Sequence, residues 1–287
     1  MTRVSYLIVA YRSRDVIVKL LNSIAAQSGE FEREIIVVDN SAAENCADLV
    51  QGFAGVKYIL NSTNTGYTKG MNQAIAASSG EYQFWLNPDV VLADDCTTSL
   101  LAELTTASTA AAAPQLQNSD GTIQSSVRNL PTFITLVYEL SGLSRLFPLS
   151  RRFGRWRNRY FDHNTKSKIE QPMASAFMIK SEIVKSLGPM DEDFFVFFSD
   201  VDYCRRIVDA GLDIMFIPDA KALHAVGGST RQEGTWLIKD SHRGFYRYLV
   251  KHELKGTKAL LRPFAAFILC GGAVMRIVYR KVMRQSF

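Results

Sequence analysis

Cysteine is scarce. The 287 residues hold four, Cys46, Cys96, Cys204 and Cys270, with no CxxC pair. That excludes a zinc ribbon and a disulfide scaffold, and it is the usage of a reducing compartment. Neither a GxGxxG nor a GxxxxGK[ST] loop occurs, so the generic dinucleotide and P-loop readings lose their main support. There is no Gly-x-Ser-x-Gly elbow and no His-Glu-x-x-His, which leaves hydrolase and zincin chemistry without a motif. Long apolar runs are also missing. The N-terminal run, residues 4–11, is too short for a signal h-region and too strand-like. The C-terminal uncharged run, residues 263–275, has 13 residues, against the ~20 that a spanning helix needs.

Acidic residues thin out along the chain. Residues 1–140 hold 8 Lys/Arg and 14 Asp/Glu, a net of −6, whereas residues 141–287 hold 25 and 14, a net of +11. Residues 239–287 alone hold 11 Lys/Arg and 2 Asp/Glu, a net of +9. Such a basic half points to an anionic partner. With 47% hydrophobic and 21% charged residues, the chain reads as globular, one large domain or one domain with an appendage.

The first half alternates strand and helix patterns. Residues 4–10, 34–38, 56–60 and 82–86 read as strands, residues 110–113 as a short strand ending before Pro114. Residues 15–26, 64–79 and 94–105 carry helical spacing. This alternation predicts a doubly wound α/β sheet with mostly parallel strands. Ligands of such sheets bind outside the carboxyl ends of the strands. Polar clusters fall at those ends: Tyr11-Arg12, Asp39-Asn40-Ser41 and Asn87-Pro88-Asp89. Further on, 173–180, 213–217 and 221–225 read as strands and 200–210 as a helix, and from about Thr235 the pattern is helical.

Individual motifs leave alternatives open. Asp89 sits at a strand tip, fit for a hard divalent cation or for an Asx turn. Asp200 and Asp202 follow the aromatic run 194–198, which suits either a general base of raised pKa or a helix N-cap. His224 precedes Gly227-Gly228-Ser229-Thr230-Arg231, a loop able to cradle an anion, and is either a ligand or a structural histidine. Residues 64–72 open a helix with glycines, an anion site or an ordinary helix entry.

In order, the segments SYLIVAYRS, EIIVVDNS, NTGYTKGMNQAI, YQFWLNPDV, FVFFSDVDYCRR and HAVGGST resemble glycosyltransferase family 2, the inverting nucleotide-sugar transferases of GT-A fold. The resemblance covers residues 4 to about 230. It implies that Ala10, Tyr11 and Asp39 hold the nucleotide base and ribose, and that Asn64, Gly66, Lys69, Asn72, Asn87 and Arg231 line the donor site. It implies that Asp89 and His224 serve a Mg²⁺ or Mn²⁺ ion on the diphosphate, and that Asp200 is the catalytic base. Two positions depart from the family pattern. Asn87 stands where the first Asp of Asp-x-Asp belongs, and Ser199 replaces the acid before the base. The Asn-Pro-Asp-Val and His-x-x-Gly-Gly-Ser-Thr variants resemble the rhamnosyltransferase branch, which implies dTDP-L-rhamnose as donor, with UDP-hexoses as the competitors.

The expected organisation is a GT-A catalytic domain over 1–232, split into a nucleotide-sugar half (1–115) and an acceptor half (116–232), then a basic helical region over 233–287. Lys239, Arg243, Arg247, Lys251 and Lys255 recur every fourth residue, a basic stripe on a helix. Together with the apolar run 263–275, this predicts a helix lying in the membrane interface, with Arg276, Arg280, Lys281 and Arg284 at anionic headgroups. The expected acceptor is a lipid-linked saccharide at the cytoplasmic face of the membrane. The Arg-rich patch 151–160 matches a polyprenyl diphosphate, and no module supports a nucleic-acid partner. A catalytically idle nucleotide-sugar-binding scaffold is the alternative from another class.

Overall fold

β-branched and aromatic runs build the sheet. In the computed structural model, which describes residues 1–224 and 234–285, the strands are β1 (Arg3–Ala10), β2 (Glu32–Asp39), β3 (Val56–Leu60), β4 (Tyr82–Leu86), β5 (Val90–Leu92), β6 (Thr109–Gln117), β7 (Val127–Arg128), β8 (Ser167–Ile169), β9 (Gln171–Pro172), β10 (Ala176–Lys180) and β11 (Asp213–His224). The helices are α1 (Arg14–Ala25), α2 (Ala47–Val50), α3 (Tyr67–Ala77), α4 (Cys96–Leu104), α5 (Phe133–Leu140), α6 (Leu143–Leu146), α7 (Ser181–Leu187), α8 (Ser199–Asp209), α9 (Thr235–Tyr248) and α10 (Arg262–Gln285).

The main sheet runs β3-β2-β1-β4-β10-β6-β11-β5, with β8 beside β11. Pairs β1/β2, β2/β3, β1/β4 and β6/β11 are parallel, while β10 runs antiparallel between β4 and β6. The order reverses between β1 and β4, which makes a crevice at their carboxyl ends. Both faces are covered. Leu7, Val9, Ile36 and Val38 enter one buried cluster, and Tyr6, Ile8, Ile35 and Val37 enter the other. Alternate residues of each strand thus bury on opposite faces, which is why these strands read as continuous apolar runs. Helix α1 lays Ile17, Leu20, Leu21 and Ile24 on the sheet, the spacing its sequence predicts.

Two expectations need correction. Strand β6 does not stop before Pro114 but runs through it to Gln117. β10 pairs with β6 only at Ala111 and Ala112, and the β11 register shifts after Ile217, so no continuous ladder crosses the proline. The segments read as two strands, 213–217 and 221–225, fall in one strand with that bulge, β11, over the described residues to His224. The C-terminal helices pack on the core of the sheet. Phe245, Tyr248, Leu249, Leu254, Ala265 and Leu269 share a buried cluster with Trp85 and Phe177.

The C-terminal helices also differ from the expected stripe. Helix α9 ends at Tyr248, and Lys251 beyond it pairs with Asp202 at 2.8 Å and with Asp191. That cation belongs to the fold. Residues 256–281 are long and apolar enough to cross a membrane by length and composition, at a mean hydropathy of 1.6. The 13-residue uncharged run is therefore part of a longer, mostly apolar segment whose charges within 256–281 are Lys258, Arg262, Arg276, Arg280 and Lys281. One face of α10 packs on the body through Ala265 and Leu269, and the face carrying Phe264, Phe267, Val274, Met275 and Val278 is exposed.

Candidate active site

The strand tips carry the polar clusters. At the end of β2, Asp39 is fully buried and accepts from Ser41 N (2.8 Å), Cys46 N (2.9 Å), Cys46 Sγ (2.9 Å) and Tyr58 OH (2.8 Å). Burial pushes its carboxyl up, but these donors outweigh it and hold the group below its ordinary value. Three of the four bonds fall on Oδ2, so Oδ1 keeps the spare acceptor capacity. The β1 tip is adjacent: Asn40 N donates to Ala10 O (2.9 Å), and Arg12 N donates to Ser41 Oγ (2.8 Å). Arg12 takes a left-handed φ of 51° beside Tyr11, whose N–H donates to Ser13 Oγ (3.1 Å).

Asn40 carries the crevice on to the start of α3. Its Nδ2 donates to Gly66 O (3.0 Å), and its Oδ1 accepts from Asn61 and Thr65. Asn64 Oδ1 accepts from Gly66 N (2.9 Å). Gly66 has a φ of 85°, and a Cβ there would lie 2.6 Å from Phe195 O. Only glycine fits this close approach. Thr68 N also donates to Phe195 O (3.3 Å), so the α3 N-terminus and the aromatic turn 194–198 meet directly. Lys69 is exposed on the first turn of α3. Asn72 does not present its amide to the strand tips. It donates to Met190 O (2.9 Å) and accepts from Met190 N (2.9 Å), which ties α3 to the turn before Asp193.

At the β4 tip, Asn87 N donates to Ser175 O (2.9 Å) and Asn87 Nδ2 to Ser175 Oγ (3.3 Å). Asp89 follows, with a side chain 10% exposed, and its Oδ1 lies 3.6 Å from Nε2 of His224, which is 6% exposed. Strand pairing enforces this meeting, because His224 stands opposite Val90. Gln124 clasps the histidine twice: Oε1 faces Nδ1 at 3.0 Å and Nε2 donates to the His224 carbonyl at 2.7 Å. An amide oxygen only accepts, so Nδ1 carries the proton and the Nε2 lone pair faces Asp89. Burial pushes His224 below the ordinary imidazole range against the opposing charge of Asp89. A neutral imidazole held by its other nitrogen, beside a carboxylate, suits a divalent cation that also binds diphosphate oxygens. Among the described residues no group of three His, Cys, Asp or Glu converges, so substrate oxygens would complete such a shell. Arg231, with Ser229 and Thr230, lies outside the described residues.

Asp200 begins α8 behind Phe198, whose φ is 73°. That left-handed phenylalanine is strained. It is held by stacking on Phe245 (4.8 Å between ring centroids) and by Asp240, which accepts from Val196 N and Phe197 N. Burial raises the Asp200 carboxyl above its ordinary value, while the N–H groups of Val201 and Ala174 and the charge of Arg128 pull it back. Ala174 precedes Ser175, the partner of Asn87, so the Asp89 turn and Asp200 meet at one short segment. The buried hydroxyl of Tyr67, without a hydrogen-bond partner among the described residues, is raised by burial and then by the charge of Asp200. Asp202 plays a different part: its buried carboxylate pairs with Lys251 (2.8 Å) and His252 (2.7 Å). Ser199 is buried with its hydroxyl on Val196 O (3.2 Å).

Three residues here escape sequence reasoning as functional candidates: Gln124 behind His224, and Arg128 and Tyr67 beside Asp200. Arg128 and Gln124 stand far from their partners along the chain, and no spacing pattern could pair them.

Residues 5–188 match the family model described as glycosyl transferase family 2. A protein of Mycobacterium tuberculosis (strain ATCC 25618 / H37Rv) named N-acetylglucosaminyl-diphospho-decaprenol L-rhamnosyltransferase is 24% identical over 254 residues, 79% of this chain and 81% of the relative. The rhamnosyltransferase WbbL of Escherichia coli K12 is 22% identical over 272 residues, 91% of this chain and 98% of the relative. Among solved structures, GalNAc-T7 with UDP, GalNAc and Mn²⁺ superposes at a TM-score of 0.62 and 14% identity over 87% of this chain. The chain spans about half of that longer protein, 48%.

Proposed function

This chain belongs to glycosyl transferase family 2 and is a glycosyltransferase, and from that premise we propose that it moves L-rhamnose from dTDP-L-rhamnose to a lipid-linked saccharide with inversion. The crevice at Ala10, Tyr11 and Asp39 would take the nucleoside, and Asn64, Gly66, Lys69 and Asn87 would flank the sugar diphosphate. Asp89 and His224 would hold Mg²⁺ or Mn²⁺, which when bound neutralises the leaving diphosphate. Asp200 would accept the proton of the attacking acceptor hydroxyl, and Arg128 would keep that carboxylate ionisable inside a buried site. One observation carries the reading: the Asp89 turn and the raised Asp200 carboxyl are joined through Ala174 and Ser175 at the crevice mouth. The names of the two relatives favour rhamnose, and the first of them names a diphosphate-linked lipid.

A donor screen by thermal shift with Mn²⁺ tests the donor. dTDP-L-rhamnose is expected to raise the melting temperature well above UDP-glucose, since a ligand bound only to the folded state stabilises by mass action. Equal shifts from the two would remove rhamnose and leave the UDP-hexose alternative. No shift with any nucleotide sugar would leave the idle scaffold.

A lipid-linked acceptor would bring the site to a membrane, and we infer its cytoplasmic face. In support, α10 exposes Phe267 (77%), Val274 (60%) and Val278 (53%) along one face, with Lys281 beside them. These residues would seat the helix in an anionic interface. Phe267→Asp/Val278→Asp, which leaves the buried Ala265 and Leu269 alone, is expected to move the protein from sedimented phosphatidylglycerol vesicles to the supernatant. Unchanged sedimentation would rule out this face.

A further inference from the structure

We propose that the cavity between α5, α6, residues 156–159 and the α9–α10 pair binds the diphosphate of a prenyl-type lipid carrier. The inference rests on the lipid-linked acceptor reading and names where its phosphates sit. The cavity has a volume of about 480 Å³ and lies away from Asp39, Asp89 and His224, none of which lines it. Four arginines line it, Arg145, Arg157, Arg159 and Arg276, with Glu139 as the lone carboxylate. Glu139 is already committed to Arg157, bidentate at 2.9 and 2.6 Å. Arg145, Arg159 and Arg276 have no ion-pair partner among the described residues. Three guanidinium groups from three chain segments therefore converge on one concavity without a counter-charge.

Ser144 and Trp156 stand in its walls. An anion rich in acceptor oxygens would balance the arginines. The charge of a diphosphate matches three free guanidinium groups better than the single charge of a phosphodiester headgroup does.

The surroundings favour a lipid over a free phosphate. Leu136, Phe245 and Leu269 give the cavity apolar walls. Directly after Ser144 and Arg145 the chain exposes Leu146 (71%), Phe147 (47%) and Leu149 (68%). A second exposed apolar strip runs along α10, which packs beside α5 through Phe133 and Phe264 (6.3 Å between ring centroids). The phosphate site is thus rimmed by the surface that would meet a bilayer. Trp156 lines the cavity, the Arg128 guanidinium sits 6.0 Å from its ring centroid, and the charge of Arg128 reaches Asp200.

Calorimetry with farnesyl diphosphate tests the site, with dTDP and Mn²⁺ present at saturation to fill the donor crevice. Wild-type protein is expected to bind the probe, and Arg145→Gln/Arg276→Gln to bind it about tenfold or more weakly while binding dTDP as wild type does. Equal affinity of the two proteins for farnesyl diphosphate would overturn the proposal. Inorganic pyrophosphate binding as tightly as farnesyl diphosphate would also overturn it, as a free-phosphate site. If no nucleotide binds but the arginine variant still loses the probe, the donor reading fails and the cavity assignment stands.

Discussion

Replacing Asp200 with asparagine is expected to cut turnover by about 10²–10⁴-fold, the range that a positioned general base contributes, and at the same time to stabilise the fold at neutral pH. Both effects have one cause. Burial raises the Asp200 carboxyl above its ordinary value, so the folded protein holds that proton more tightly than the unfolded chain does. A carboxyl raised in the folded state contributes stability that is present below its unfolded pKa and is lost as pH rises through the folded value. Turnover has the opposite dependence, because only the ionised carboxylate accepts the proton of the attacking hydroxyl. Activity and stability should therefore cross as pH rises through this window, and asparagine should remove both dependences. Arg128 sets where the window falls, since its charge pulls the carboxyl back toward its ordinary range. The check is kcat and melting temperature against pH for the two proteins, with donor affinity as the control. A variant that turns over as wild type would exclude Asp200 as the base. One that melts lower at neutral pH would exclude burial as the source of the shift.

The setting of Asp200 is legible in the sequence because its cues are local. The aromatic run 194–198 is followed by Ser199 and Asp200, and an acid in the first turn of a helix behind apolar residues is desolvated. The same local logic found β1 to β4 and placed α1 and α3 within a few residues of their observed bounds. It failed where a remote contact decides. Pro114 looked like a strand end, but the gap in the β10 pairing leaves room for it. Asn72 shares a helix with donor-side residues, yet its amide is claimed by Met190, a residue more than a hundred positions away. Lys251 fits the basic stripe by spacing, but Asp191 and Asp202 recruit it into the fold. Asp202 itself, two residues from Asp200, looked equivalent in sequence. Its partners Lys251 and His252 hold its carboxyl below the ordinary range despite burial, whereas burial drives the Asp200 carboxyl up.

Gln124→Leu is expected to weaken Mn²⁺ binding by about 10–100-fold, the usual cost of removing the partner that orients a metal-ligating histidine. The glutamine never needs to touch the ion. Its Oε1 faces Nδ1 of His224 and its Nε2 reaches the backbone carbonyl of the same residue, so one side chain fixes both the ring tautomer and the end of β11. With leucine in its place, the Nδ1 proton loses its acceptor, and the other tautomer, with hydrogen on Nε2 facing Asp89, becomes as favourable. That tautomer offers the cation no lone pair. Asp89 alone would then anchor the ion, and with Asn87 in place of a second acid nearby it has no carboxylate to share the charge. Leucine is close to glutamine in volume and Gln124 is buried, so the fold should persist at some cost from the unsatisfied His224 carbonyl. Mn²⁺ titration followed by electron paramagnetic resonance, in the presence of dTDP, reads the effect directly. Gln124→Glu separates tautomer from packing, because a carboxylate restores an acceptor for Nδ1 and should recover most of the affinity. If leucine and wild type titrate alike, His224 is not a ligand, and its contact with Asp89 serves only to pin β5 to β11.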